Sequence, residues 1–111
     1  MNVREEKLGD VIVLEAEGRV DSTTAPVLGE TLTATLGAGP KGLVLDLRLL
    51  EYISSAGLRT LLQAAKRAEE LGSRFVLCGI SGKVRQLFDL GGFLDLFTTY
   101  TSKEEGVASI Q

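Results

Sequence analysis

The chain has 111 residues, of which 44% are hydrophobic and 24% are charged, and its formal net charge is −3. This length predicts a single domain spanning residues 1–111, and this composition excludes wholesale disorder. The twelve basic residues are dispersed along the chain, so nucleic acid is a disfavoured partner.

The apolar runs are only a few residues long, far short of the roughly 20 that cross a bilayer, so we expect no membrane insertion. The N-terminus shows no basic segment followed by an apolar stretch, which predicts a cytoplasmic protein. Cys78 is the one cysteine and cannot form an internal disulfide. Its apolar neighbours predict a buried strand thiol.

The first half of the chain predicts three strands and a helix. The strands cover 3–8, 11–17 and 42–47, because these segments are β-branched or strongly apolar. The helix covers 24–36, where the apolar positions Val27, Leu28, Leu32 and Leu36 have helical spacing, and Gly37 closes it.

The second half predicts three helices and two strands. A long helix follows residues 52–55, with Leu58, Leu61, Leu62, Ala65 and Ala68 on its apolar face, and residues 71–73 end it. A buried strand covers 74–80, Ser81 caps a short helix that ends at Gly91–Gly92, and a last strand covers 97–100. Ser102 and Glu105 form a capping box for a C-terminal helix.

The predicted order is therefore β-β-α-β-α-β-α-β-α. Alternating strands and helices with apolar central strands are typical of the α/β class. We expect a mixed, mostly parallel sheet of about five strands, with about four helices and right-handed crossovers.

The search for catalytic chemistry is mostly negative. Without histidine the chain cannot build a Ser-His-Asp set, and with one cysteine it lacks the usual metal ligands, so we expect no enzyme activity, metal or cofactor. GAGPKG at 37–42 matches G-x-G-x-x-G, the pattern of a nucleotide-binding enzyme. Here, however, it follows a helix and opens a strand, which reverses the order that phosphate binding requires.

The segment YISSAGLRT, residues 52–60, places two serines where a buried run meets a helix. One serine serves as an N-cap in the simplest interpretation. The alternative is an exposed hydroxyl that a kinase phosphorylates, because a helix N-terminus stabilises a phosphate. The small residues Ala56 and Gly57 are expected to keep the first turn open.

The chain resembles the STAS domain, and within it the bacterial anti-sigma factor antagonists. Three stretches carry the resemblance in order: GRVDSTTAPVL (18–28), LVLDLRLLEYISSAGLRTLL (43–62) and FVLCGISGKVRQLFDLGGFLDLF (75–97). The resemblance implies a STAS-like fold and a regulatory protein that is the substrate and ligand of an enzyme.

The resemblance also implies a phosphorylation site at Ser55, two residues before the Gly-Leu pair. In the cycle that the resemblance implies, a serine kinase, itself the anti-sigma factor or switch protein, binds the unmodified form and phosphorylates it, and a PP2C-type phosphatase restores the hydroxyl. Many members have Asp before this serine and a hydroxyl after it, whereas this chain has Ser54 and Ala56. Ser54 is therefore a rival acceptor, or else a cap.

The expected partner-binding residues surround Ser55: Asp21, Ser22, Thr23, Ser54, Ala56, Gly57, Arg59 and Thr60. The first three equally suit capping of the first helix. Asp46 is interpreted as a solvated strand end, with a hydrogen bond to the 52–55 loop as the alternative, and Lys83 and Arg85 as ordinary helix surface. The competing function is a constitutive STAS subunit of a larger signalling or transport complex, with both serines structural.

Overall fold

A computed structural model describes all 111 residues as an α/β domain with six strands and four α-helices. The strands are β1 (Asn2–Leu8), β2 (Val11–Val20), β3 (Gly42–Asp46), β4 (Leu50–Ile53), β5 (Arg74–Cys78) and β6 (Thr99–Tyr100). The helices are α1 (Ala25–Gly37), α2 (Ser55–Leu71), α3 (Gly82–Leu90) and α4 (Lys103–Ile110). None of the helices combines the length and the hydrophobicity that a transmembrane span needs.

The sheet is mixed and mostly parallel, as predicted. Its strand order is β1-β2-β3-β5-β6, and β4 pairs with β2 beside this path. Only β1 and β2 are antiparallel, whereas the other four pairs are parallel. The parallel strands end at the same edge of the sheet, so the loops that follow them lie near one another.

The alternation of side chains along the strands gives the sheet two buried faces. Leu14, Leu45 and Leu77 belong to a core of 21 residues that α1, α2 and α3 cover. Their neighbours, such as Val13 and Val44, belong to a core of seven residues that α4 covers. The middle residues of the central strands are therefore apolar on both faces, as expected for strands covered on both sides.

The number of strands differs from the prediction because β4 lies between the predicted strand at 42–47 and the long helix, where no strand was predicted. Leu50–Ile53 pairs with residues 18–20 of β2, where the register shifts between Gly18 and Arg19. Leu50 and Ile53 are buried and Glu51 is exposed. Because β4 has four residues and pairs with one strand end, its periodicity was too short to recognise.

The predicted helices are confirmed, with differences at their ends. α2 ends at Leu71, and its C-cap Gly72 has a left-handed φ of 70°, which favours glycine. Val27, placed on the apolar face of the first helix, is 54% exposed. Ser81 stands at the N-cap of α3, but its side chain makes no capping hydrogen bond. The predicted last strand at 97–100 contains only two strand residues, Thr99–Tyr100, and a 3-10 helix at Leu94–Leu96 precedes it.

The interpretation of Asp46 as a solvated strand end is wrong, and so is its alternative. Asp46 is only 4% exposed, and its Oδ1 accepts a hydrogen bond from the backbone N–H of Arg48 at 3.0 Å, not from the 52–55 loop.

The carboxylate of Asp46 lies beside Cys78, which is fully buried, as predicted. Burial and this neighbouring carboxylate raise the pKa of the Cys78 thiol to about 12, so the thiol is unreactive.

Candidate functional site

Two turns at the same end of the sheet form the candidate site. One joins β2 to α1 and contains Asp21, and the other joins β4 to α2 and contains Ser54. The pairing of Val20 with Ile53 holds the turns together, and the N–H of Ser54 donates to the carbonyl oxygen of Val20 at 2.8 Å. Residues that lie more than 30 positions apart in the sequence are thereby fixed side by side.

Ser54 is the N-cap of α2. Its backbone is extended, with φ −86° and ψ 172°, and its Oγ accepts a hydrogen bond from the N–H of Gly57 at 3.2 Å. The residue is half-buried. The hydroxyl of Ser54 thus satisfies a backbone donor that the helix leaves unpaired.

Ser55 is the first residue of α2 and is exposed. The first intrahelical hydrogen bond runs from the N–H of Leu58 to the carbonyl oxygen of Ser54, so the N–H groups of Ser55 and Ala56 have no acceptor within the helix. The two serines therefore have different surroundings. One hydroxyl is engaged in a cap, and the other is presented to solvent beside two unpaired backbone donors.

Gly57 does not keep the turn open, contrary to the expectation. It is buried, and a Cβ at this position would lie 2.6 Å from Cγ1 of Ile53 and 2.7 Å from Cγ1 of Val20. The absence of a side chain therefore lets the start of α2 pack closely against the ends of β2 and β4. Ala56 is half-buried, and of these two small residues only Ala56 reaches the surface.

Asp21 organises the turn before α1. Its Oδ1 accepts hydrogen bonds from the N–H of Thr23 at 2.9 Å and of Thr24 at 3.1 Å. The hydrogen bond from Thr24 and then that from Thr23 are the main causes that lower the pKa of the Asp21 carboxyl. The Asp21 side chain is thus committed to the turn, while Ser22 and Thr23 are exposed on its outer side.

A groove between α1 and α2 joins the two turns at the surface. Its lining includes Ser22 and Pro26 on the α1 side and Ala56, Arg59 and Thr60 on the α2 side. Arg59 is exposed and takes no part in the five ion pairs of the protein. The structure thus places seven of the eight predicted binding residues at or beside one surface, and Gly57 beneath it.

Two residues of this region were missed in the sequence. The guanidinium carbon of Arg19 lies 4.4 Å from the centre of the Tyr52 ring, a cation–π contact between neighbouring strand ends. The prediction ended the second strand at residue 17, whereas β2 continues to Val20. The pairing of Arg19 with Tyr52 requires this extension and the unrecognised β4.

The remaining motifs do not contribute to this site. Lys83 and Arg85 are exposed on α3, as expected of helix surface. In GAGPKG, Gly37 is the last residue of α1 and Gly42 the first of β3, so no helix begins at this loop. The fold brings no group of three or more Cys, Asp or Glu residues together that could hold a metal ion.

Comparisons with known proteins agree with this architecture. The STAS domain family model matches residues 2–106. BtrV of Bordetella bronchiseptica, which carries the name of an anti-sigma factor antagonist, is 35% identical over 111 residues, covering 100% of this chain and 96% of BtrV. The match thus extends over almost the full length of both proteins.

Solved structures show the same fold. The crystal structure of an anti-sigma factor antagonist from Mycobacterium paratuberculosis has a TM-score of 0.87 at 24% identity, covering 98% of this chain and 92% of that one. SpoIIAA in its unphosphorylated form has a TM-score of 0.78 at 18% identity, covering 99% of both chains. Its phosphorylated form, from Bacillus, has a TM-score of 0.73 at 16% identity, covering 99% of this chain and 100% of that one. The chain therefore belongs to the STAS domain family and, within it, to the anti-sigma factor antagonists.

Proposed function

We propose that this protein is a partner-switching regulator and that Ser55 is its switch. The unmodified form binds an anti-sigma factor or switch protein that is also a serine kinase. The kinase transfers the γ-phosphoryl group of ATP to Oγ of Ser55, the hydroxyl proton passes to a base of the kinase, and ADP leaves. A PP2C-type phosphatase then uses water to release inorganic phosphate and restore the hydroxyl.

The observation that carries the proposal is the difference between the two serines. Ser55 is exposed at the first position of α2, whereas the Ser54 hydroxyl is held by the N–H of Gly57. An enzyme reaches the first hydroxyl without disturbing the fold, and reaching the second requires breaking the cap. The names of the relatives supply the class of partner, because an antagonist of an anti-sigma factor acts by binding it.

Phosphorylation at this position suits an on/off switch physically. The phosphate adds about −1.5 to −2 charges at the positive end of the α2 dipole, beside the unpaired N–H groups of Ser55 and Ala56. The domain itself therefore tolerates the modification. A partner packed over the turn would have to bury this charge or oppose it, and each loss of about 1.4 kcal/mol lowers affinity tenfold.

The test uses a cognate serine kinase that binds the unmodified chain, with ATP and purified variants. We expect mass spectrometry to find one phosphate in the unaltered chain and in Ser54→Ala, and none in Ser55→Ala. We expect Ser55→Asp to weaken kinase binding at least about tenfold in calorimetry, while circular dichroism remains native. Full phosphorylation of Ser55→Ala would move the site to Ser54, and unchanged binding of Ser55→Asp would favour the constitutive subunit.

A further inference from the structure

We propose that Arg59 is the internal counter-ion of a phosphate on Ser55, so that modification also withdraws the free cation of the α1–α2 groove. This inference rests on the phosphorylation of Ser55 proposed above. It assigns to Arg59 a second function besides that of a partner contact.

Helix geometry places Arg59 correctly for this contact. Ser55 and Arg59 are residues i and i+4 of α2, and side chains at this spacing are neighbours, with Cβ atoms about 5–6 Å apart. Helical side chains lean toward the N-terminus, so the guanidinium can reach back toward the turn that carries Ser55. An anion placed N-terminal to a cation is also the more favourable order of an i,i+4 pair.

Arg59 is also the cation that is available. Arg19 lies over the Tyr52 ring, and Arg48 pairs with Glu15 at 3.5 Å. Arg59 has no ion-pair partner and is exposed, so it can turn toward a new anion without losing an existing contact. A guanidinium can donate two parallel hydrogen bonds to a phosphate, and these are among the stronger hydrogen bonds in proteins.

The carboxylates near Arg59 do not form an ion pair with it in the unmodified protein. Asp21, on the adjacent turn, already accepts hydrogen bonds from Thr23 and Thr24. Glu51 is exposed on β4, the strand before the two serines, and it forms no ion pair with Arg59. In the unmodified protein the groove therefore presents a cation beside the hydroxyl of Ser22, which suits an acidic group of a partner.

One phosphorylation would therefore change the charge of the binding surface in two ways. The phosphate adds negative charge at the start of α2, and the pairing of Arg59 removes a positive charge from the groove that Arg59 lines. A partner that binds the unmodified groove through a carboxylate would lose its counter-ion and meet a like charge. Both changes oppose binding, although only one residue is modified.

The test introduces phosphoserine at position 55 during synthesis, so that no kinase is needed. ³¹P NMR then measures the second pKa of the phosphate in the unaltered background, in Arg59→Gln and in Arg67→Gln. Arg67 is the control, because it is exposed on the same helix and carries the same charge, although it pairs with Glu70 at 3.6 Å. It lies about 18 Å from Ser55 along the helix axis. At physiological ionic strength this separation exceeds the screening length.

We expect Arg59→Gln to raise the phosphate pKa by about 0.3 or more, Arg67→Gln to leave it unchanged, and Arg59→Lys to fall between. Equal values for Arg59→Gln and Arg67→Gln would overturn the assignment of Arg59. That result would leave the phosphoswitch intact, because kinase transfer to Ser55 and partner release are measured separately. Conversely, a failure of the kinase to modify Ser55 would refute the switch and not the ion pair.

Discussion

Gly57 lies on the buried side of the first turn of α2, where a side chain has no room. Alanine favours a helix over glycine by about 1 kcal/mol, but its Cβ would lie 2.6 Å from Ile53 and 2.7 Å from Val20. Overpacking of this kind typically costs about 1–3 kcal/mol. We therefore expect Gly57→Ala to lower the free energy of unfolding by up to about 2 kcal/mol in urea denaturation, because the overpacking outweighs the gain in helix propensity.

Gly37 provides the control for this prediction. It is the last residue of α1, and a Cβ there would meet nothing within 4 Å. Gly37→Ala should be neutral or slightly stabilising, since only the propensity gain applies. If the two variants had the same stability, the close approach of α2 to the strand ends would not be what selects glycine at position 57.

The two serines and Gly57 show how far single residues can be predicted here. The exposure of Ser55 follows from its position after a buried run and before an amphipathic helix. The burial of Gly57 does not follow, because a small residue suits an open turn and a tight contact equally well. Only the positions of Val20 and Ile53 distinguish the two cases, and these depend on the pairing of β2 with β4.

The start of α2 as an element depends on the cap that Ser54 provides. Removing a serine N-cap costs about 1 kcal/mol, because the N–H of Gly57 loses its acceptor. We expect Ser54→Ala to lower the free energy of unfolding by that amount, whereas Ser55→Ala should change it by less than about 0.5 kcal/mol. Chemical denaturation of both variants measures the difference. A larger loss in Ser55→Ala would mean that Ser55 has the structural role.

At the scale of elements, the sequence predicts helices better than short strands. α2 was predicted because 17 residues repeat the helical period several times, and its glycine C-cap marks the end. β4 offered four residues, and it pairs with residues 18–20 of β2, which lie beyond the predicted end of that strand at residue 17. Both β4 and the end of β2 are strands because they form hydrogen bonds with each other across more than 30 residues of sequence. A local sequence pattern does not contain this information.

The β-sheet lies between the proposed switch on α2 and helix α4. Ser55 and Arg59 lie on α2, which packs on one face of the sheet, whereas α4 packs on the other. The central strands between them are buried on both sides. The sheet therefore acts as a rigid base, and the proposed switch requires only local changes of charge.

Ile110 tests whether the switch is local. Its side chain is 4% exposed and fills the space over Gly42, where a Cβ would lie 2.6 Å from Cδ1 of Ile110. We expect Ile110→Ala to lower the free energy of unfolding by about 2–4 kcal/mol, because it leaves a cavity under α4. Leu90→Ala is the control, since Leu90 is 85% exposed and its truncation should cost little.

We expect Ile110→Ala to bind the kinase with unchanged affinity, although the variant is less stable. A domain of this size is typically stable by about 5–15 kcal/mol, so Ile110→Ala should remain folded well below its melting temperature. At such a temperature the unfolded fraction is small, and the turns that carry Ser55 keep their positions because β2 and β4 hold them. Calorimetric affinity for the kinase should then match that of Leu90→Ala. A tenfold loss of affinity in a folded Ile110→Ala protein would show that α4 and the switch are coupled through the sheet.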